Sequence, residues 1–97
     1  MPRPSKLSPE AVQTALLSLS GWQGTESNLH RKFEFKDFID AWGFMSRAAL
    51  VAQAMDHHPD WSNVYRTVDV TLSTHDAGGV TELDIKLAQE MNRLAGS

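Results

Sequence analysis

The segment Asp56-His57-His58-Pro59-Asp60-Trp61-Ser62-Asn63-Val64-Tyr65 sets two adjacent imidazoles where a long helical run meets a proline, and His75 follows at the far end of the next strand. Imidazole is the side chain whose unperturbed pKa, about 6.5, lets it give and take protons near neutrality. Two neighbouring rings at a fraying helix end point in different directions. They can reach two positions on one small ligand, or one can bind while the other packs. The plainer reading is a surface pair suited to the negative end of a helix dipole, and spacing alone does not separate the two. His75 by itself reads as a loop histidine. Its interest is that the helix ending at Met55 and the strand ending at Thr74 could bring their ends to one rim. Asp84, at the start of a helix, is explained by the dipole alone. Trp61 and Tyr65 could stack on a flat heterocycle or sit in the core.

Other chemistries fit less well. Three histidines and a carboxylate match zinc in number. However, adjacent His57 and His58 chelate one ion awkwardly, and no His-x-His or His-x-x-x-His pair exists, so no metal site is expected. Gly78-Gly79 resembles an anion nest only loosely, without a surrounding phosphate-loop pattern. The net charge is −3 with no basic patch, which disfavours nucleic acid as a partner. No cysteine is present, which excludes disulfides and thiolate metal sites and fits a cytosolic protein. No apolar run approaches the roughly 20 residues that span a bilayer. Met1 to Lys6 has no apolar stretch behind it, so it is not read as a signal peptide. The 97 residues fit one small domain, read as a flexible arm over 1–7 and a single domain over 8–97.

The elements that must position the histidines follow from caps and periodicity. Ser8, Pro9 and Glu10 open a short amphipathic helix over about 9–19, with Val12, Leu16 and Leu19 inward and Gly21 as its stop. Trp22 and Gln23 can start a strand. In the next strand Leu29, Phe33 and Phe35 share one side and His30, Lys32 and Glu34 the other. Arg31 breaks the apolar side, which predicts a strand near an edge or against an interface. Asp37 caps a helix over about 38–55. One of its stripes is Phe38, Trp42, Met45, Ala49 and Ala52, and a second is Ala41, Phe44, Ala48, Val51 and Met55. Together they cover more circumference than one sheet face hides, which points to a second subunit as cover. Gly43 inside this helix costs about 1 kcal/mol relative to alanine and suggests close approach by another backbone. Pro59 ends the helix near His58. Residues 63–73 read as one strand, with Val64, Val68, Val70 and Leu72 on its apolar face. Thr81 caps a third helix, with Asp84 in capping-box position. The order helix, strand, strand, helix, strand, helix predicts an α+β fold, a small antiparallel sheet with helices on one face.

The constellation resembles the pterin-4a-carbinolamine dehydratase family. Phe33-Glu34-Phe35-Lys36-Asp37-Phe38, Gly43-Phe44-Met45, Asp56 to Tyr65, Thr71 to Asp76, Gly78-Gly79, Asp84-Ile85 and Leu87-Ala88 carry the likeness. A His-His-Pro segment followed at this distance by Ser73-Thr74-His75 is specific, whereas a lone His-His is not. The resemblance implies about four antiparallel strands with three helices on one face, and a homodimer or homotetramer. It implies dehydration of 4a-hydroxytetrahydropterin to quinonoid dihydropterin, linked to an aromatic amino acid hydroxylase, with pterin as substrate and no cofactor of its own. It implies His57 and His75 as acid–base pair and His58 as an orienting group. Asp56 to His58 and Ser73 to Asp76 would be pocket walls, Trp61 a rim support, and Asp84 a group that orients a histidine or contacts the pterin. Gln53 and Leu83 depart from the acid and the arginine that many or some relatives carry there. A dimerisation or coactivator-type binding module on the same fold is the alternative function.

Overall fold

Each helix begins where a side-chain oxygen meets a backbone N–H that has no partner within the helix. Residues 4–96 are described by the computed structural model. In chain order they form α1 (Pro9–Leu16), β1 (Gln23–Gly24), β2 (Leu29–Glu34), α2 (Phe38–Met55), β3 (Asp60–Val64), β4 (Thr67–Leu72), a 3-10 turn (His75–Ala77) and α3 (Glu82–Ala95). Ser8 Oγ accepts from Ala11 N at 3.1 Å, and Asp37 Oδ1 accepts from Asp40 N at 2.8 Å. Thr81 and Asp84 form the expected capping box. The four strands make one antiparallel sheet in the order β1-β2-β4-β3. Its register sets Leu29 beside Leu72, Arg31 beside Val70 and Phe33 beside Val68 on one face. That face carries the core, which Val12 of α1, Phe44 of α2 and Leu87 and Met91 of α3 complete. The α+β expectation holds: an open sheet of four strands with three helices on one side.

Several local expectations change. The single strand read over 63–73 is a hairpin, β3 and β4 joined at Tyr65-Arg66. Tyr65 takes φ 53° there, a left-handed geometry that a non-glycine residue adopts uncommonly. Asn63 Nδ2 donates to the carbonyls of Tyr65 and Thr67 at 3.0 and 2.9 Å and fastens the turn. Val64 therefore pairs with Thr67 on the outer face and is exposed, not part of the apolar row. Tyr65 is likewise exposed at the turn. α1 stops at Leu16, and Leu19 reaches the core from the turns that follow.

β2 lies inside the sheet order, although β1 covers only its first two residues. Arg31 sits on the core face without exposing a bare charge there. Its guanidinium lies 4.1 Å from the Phe33 ring centroid and donates to Ser20 O and Asn92 Oδ1 at 2.9 and 2.6 Å. Burial lowers its pKa from the usual arginine value. Asn92 Oδ1 also accepts from Trp22 Nε1 at 2.8 Å, and Asn92 Nδ2 donates to Ser20 O at 3.0 Å.

In α2, Ala41, Phe44, Ala48 and Ala52 are buried and Val51 and Met55 partly so. Of the other stripe, Phe38, Trp42 and Ala49 are exposed, Met45 is half-buried and Ala52 is buried; Ile39 and Leu50, in neither stripe, are 78% and 73% exposed. Among the described residues Gly43 meets no other backbone outside its own helix. A Cβ there would find only the Arg47 side chain, at 3.3 Å. Of the arm read over 1–7, residues 1–3 lie outside the described residues. Its inner end is fastened: Leu7 N donates to Val80 O at 2.8 Å, and Leu7 packs against the core.

The Asn92 cluster generates one expectation. Asn92→Ala leaves the Trp22 N–H without its acceptor and strips a partner from Arg31, so unfolding free energy in urea falls by about 1–3 kcal/mol. An unchanged denaturation midpoint would refute this account of how Arg31 is tolerated.

Candidate functional site

α2 ends at Met55 because Asp56 turns left-handed, with φ 51°. Its N–H and that of His57 return to the last carbonyls, His57 N donating to Ala52 O at 3.0 Å. The consequence is a split between neighbours. His57 turns inward and is 4% exposed, while His58 stays at the surface.

A second strut holds the inner ring. Asp84, in the first turn of α3, is fully buried and collects three donors. Thr81 N donates to its Oδ2 at 2.9 Å, Thr74 Oγ1 donates to the same oxygen at 2.8 Å, and Oδ1 lies 2.5 Å from His57 Nε2. An ionised carboxylate only accepts, so His57 Nε2 carries a proton toward it. The Thr74 and Thr81 hydroxyls also meet each other at 2.7 Å. A buried carboxylate without such partners would be strongly disfavoured.

The third ring arrives through the loop after β4. Thr74 pairs with Gly79 across a tight loop, and the 3-10 turn His75–Ala77 is closed by Ala77 N and Gly78 N donating to Thr74 O. Gly78 takes φ 77°. At Gly79 a Cβ would stand 2.4 Å from the Glu26 carbonyl oxygen, so only glycine lets the loop approach the segment before β2.

His57, His58, Ser73, Thr74, His75 and Asp76 line one cavity of about 170 Å³. The three histidines singled out in the sequence, separated along the chain, thus share a wall. Other expected site residues are placed differently. Asp84 lies beneath the cavity and reaches it through His57. Thr74 is a wall residue whose hydroxyl is already engaged by Asp84 and Thr81. Asp56 is exposed at the helix end and does not line the cavity. Trp61, expected at the rim, instead lines a separate cavity of about 250 Å³ with Trp42, Met45, Ser46 and Ala49. The hairpin explains this, because β3 begins at Asp60 and sets Trp61 beside Val70 on the helix-covered face. Two participants were not read as such from the sequence. Thr81 serves the Asp84 network as well as the cap. Gln53, read in the sequence only as a departure from the acid of many relatives, places Oε1 2.9 Å from His58 Nε2, five residues on and past the end of α2. Among the described residues, no three histidine, aspartate or glutamate side chains gather as metal ligands do.

Removing the Asp84 carboxylate tests the framework. Asp84→Ala deletes three hydrogen bonds at a fully buried position, and unfolding free energy falls by about 3 kcal/mol or more. A loss below about 1 kcal/mol in chemical denaturation would contradict the placement.

Comparison with known proteins agrees with this architecture. Residues 5–94 match the family model described as pterin 4 alpha carbinolamine dehydratase. A protein of Bradyrhizobium sp. (strain BTAi1) named "Putative pterin-4-alpha-carbinolamine dehydratase" is 57% identical over 94 residues, 95% of each chain. One of the same name from Mesorhizobium japonicum is 57% identical over 93 residues, 94% of this chain and 95% of its own. A crystal structure of a transcriptional coactivator/pterin dehydratase from Brucella melitensis superposes with TM-score 0.92 at 51% identity, over 95% of this chain and all of that one. A pterin dehydratase-like protein identified as a RuBisCO assembly factor in the alpha-carboxysome superposes with TM-score 0.65 at 25% identity, over 78% of this chain and 88% of that one. A match across nearly the whole chain, joined to relatives at this level of identity, places the protein in the pterin 4 alpha carbinolamine dehydratase family.

Proposed function

We propose that the histidine cavity dehydrates 4a-hydroxytetrahydropterin to quinonoid dihydropterin, with His57 and His75 as the acid–base pair and His58 as the orienting ring. The observation that carries this reading is the meeting of His57, His58 and His75 on one wall system. In the reaction the N5 proton leaves, N5 and C4a become doubly bonded, and the C4a–O bond breaks as the hydroxyl departs with an added proton. One group must take a proton and another must give one. Histidine does both near neutral pH. Asp84 beneath His57 suits this, since a carboxylate balances the ring when it is charged and fixes its orientation. Residues 56–58 and 73–76 are the proposed walls. The reading calls for no resident metal or cofactor, and sets the activity in the cytoplasm, in tetrahydrobiopterin recycling beside an aromatic amino acid hydroxylase.

A second reading rests on the outward face of α2. Phe38, Ile39, Trp42 and Leu50 are large apolar side chains left in water. We assign them to self-association as a homodimer or homotetramer, with a coactivator-type partner as the alternative occupant.

Two measurements bear on these readings. Spectroscopic assay of freshly made 4a-hydroxytetrahydropterin across pH should show losses of about 10²–10⁴-fold for His57→Ala and His75→Ala, with a smaller loss for His58→Ala. Full rate in all three variants would remove the assignment. In sedimentation, Trp42→Asp should shift the wild-type oligomer to monomer. A wild-type protein that is already monomeric would end the self-association reading.

A further inference from the structure

The neighbouring rings of His57 and His58 are held by the same ring atom but by partners of different charge. His57 Nε2 faces the carboxylate of Asp84 at 2.5 Å, and His58 Nε2 faces the amide oxygen of Gln53 at 2.9 Å. A carboxylate can balance a positive ring. An amide oxygen carries no full charge and only accepts, so it fixes an N–H while compensating a second proton on the ring far less than a carboxylate does. The polar atom left to His58 for a ligand is then Nδ1, bearing a lone pair.

We infer that Gln53 is a positioning residue that holds the His58 ring with its Nε2 proton on the amide oxygen, so that the uncharged ring offers the cavity a hydrogen-bond acceptor at Nδ1. The inference deepens the pterin reading and rests on it for the ligand alone. His58 then recognises a donor, an N–H or O–H on the edge of a flat heterocycle. Proton donation falls to His57, whose carboxylate partner supports a charged ring, or to His75 across the cavity. The titratable neighbours of His58 are His57 beside it, His75 and Asp76 across the cavity, and Asp56 and Asp60 along its own backbone. None of them changes when residue 53 is replaced, so a variant there isolates the amide. Gln53 is exposed, so its replacement leaves the core intact.

Nitrogen-detected NMR of the ligand-free protein reads the ring directly. At pH values where the ring is uncharged, the expected wild-type His58 signal is protonated at Nε2 and bare at Nδ1. An uncharged ring protonated at Nδ1 and bare at Nε2 would mean that the amide is turned to donate, and overturns the inference. Gln53→Glu keeps the acceptor but adds charge, and should carry the His58 titration upward by about one pH unit. An identical titration in wild type and Q53E also overturns it. In turnover of 4a-hydroxytetrahydropterin, Gln53→Leu should raise KM about tenfold with kcat near the wild-type value, the signature of lost ligand orientation. A loss confined to kcat would place Gln53 in the chemical step instead and refute the positioning role. If no turnover occurs with any variant, the pterin reading fails while the ring measurements still decide the part played by Gln53.

Discussion

One buried carboxylate ties three parts of the chain together. Asp84 joins the start of α3 to His57 at the end of α2 and to Thr74 after β4. A lone charge at such depth would be expelled or neutralised. It is retained because every oxygen has donors and because no buried side-chain polar atom among the described residues is left unpartnered. The pair of Asp84 and His57 adds little to stability beyond what a well-packed apolar pair could offer. What it adds is uniqueness. The inner ring has one orientation, and the loop that carries His75 hangs from the same anchor through Thr74.

The left-handed turn at Asp56 performs the complementary task. A helix that ran on would set successive side chains about 100° apart around one axis. The turn instead sends one imidazole beneath the surface and leaves its neighbour above it. Two identical side chains thereby acquire different surroundings, one ring against a buried carboxylate and the other against an exposed amide. Support from α2, from the loop after β4 and from α3 is needed for this, and the sheet matters mainly as the base on which they rest.

Much of this was legible in the sequence, for identifiable reasons. Ser8, Asp37 and Thr81 announced helix starts because capping depends on local chemistry. The hairpin at Tyr65-Arg66 was hidden because its turn lacks the glycine or asparagine that marks such loops, and the asparagine that fastens it stands two residues earlier. Missing it misplaced Trp61, whose direction depends on where the strand begins. Arg31 looked like a break in the apolar face because its partners, Asn92 and Phe33, include one that is distant in sequence. The same applies to the site. The histidines stood out by type, whereas Asp84, sufficiently explained by its local chemistry as a cap, was tied to a histidine only through the family resemblance. Long-range contacts set orientation, and a single sequence does not display them.

The anchoring of Leu7 to Val80 has a practical consequence. Pro4, Ser5 and Lys6 border a groove of about 500 Å³ that shares Asp76 with the histidine cavity. Pro4 itself is therefore held beside the mouth of that cavity. The far end of α3, at Ala95, stands about 17 Å along the helix from Asp84. A purification handle or fluorescent fusion belongs on that distal end, where it neither shades the cavity nor competes with small molecules entering it.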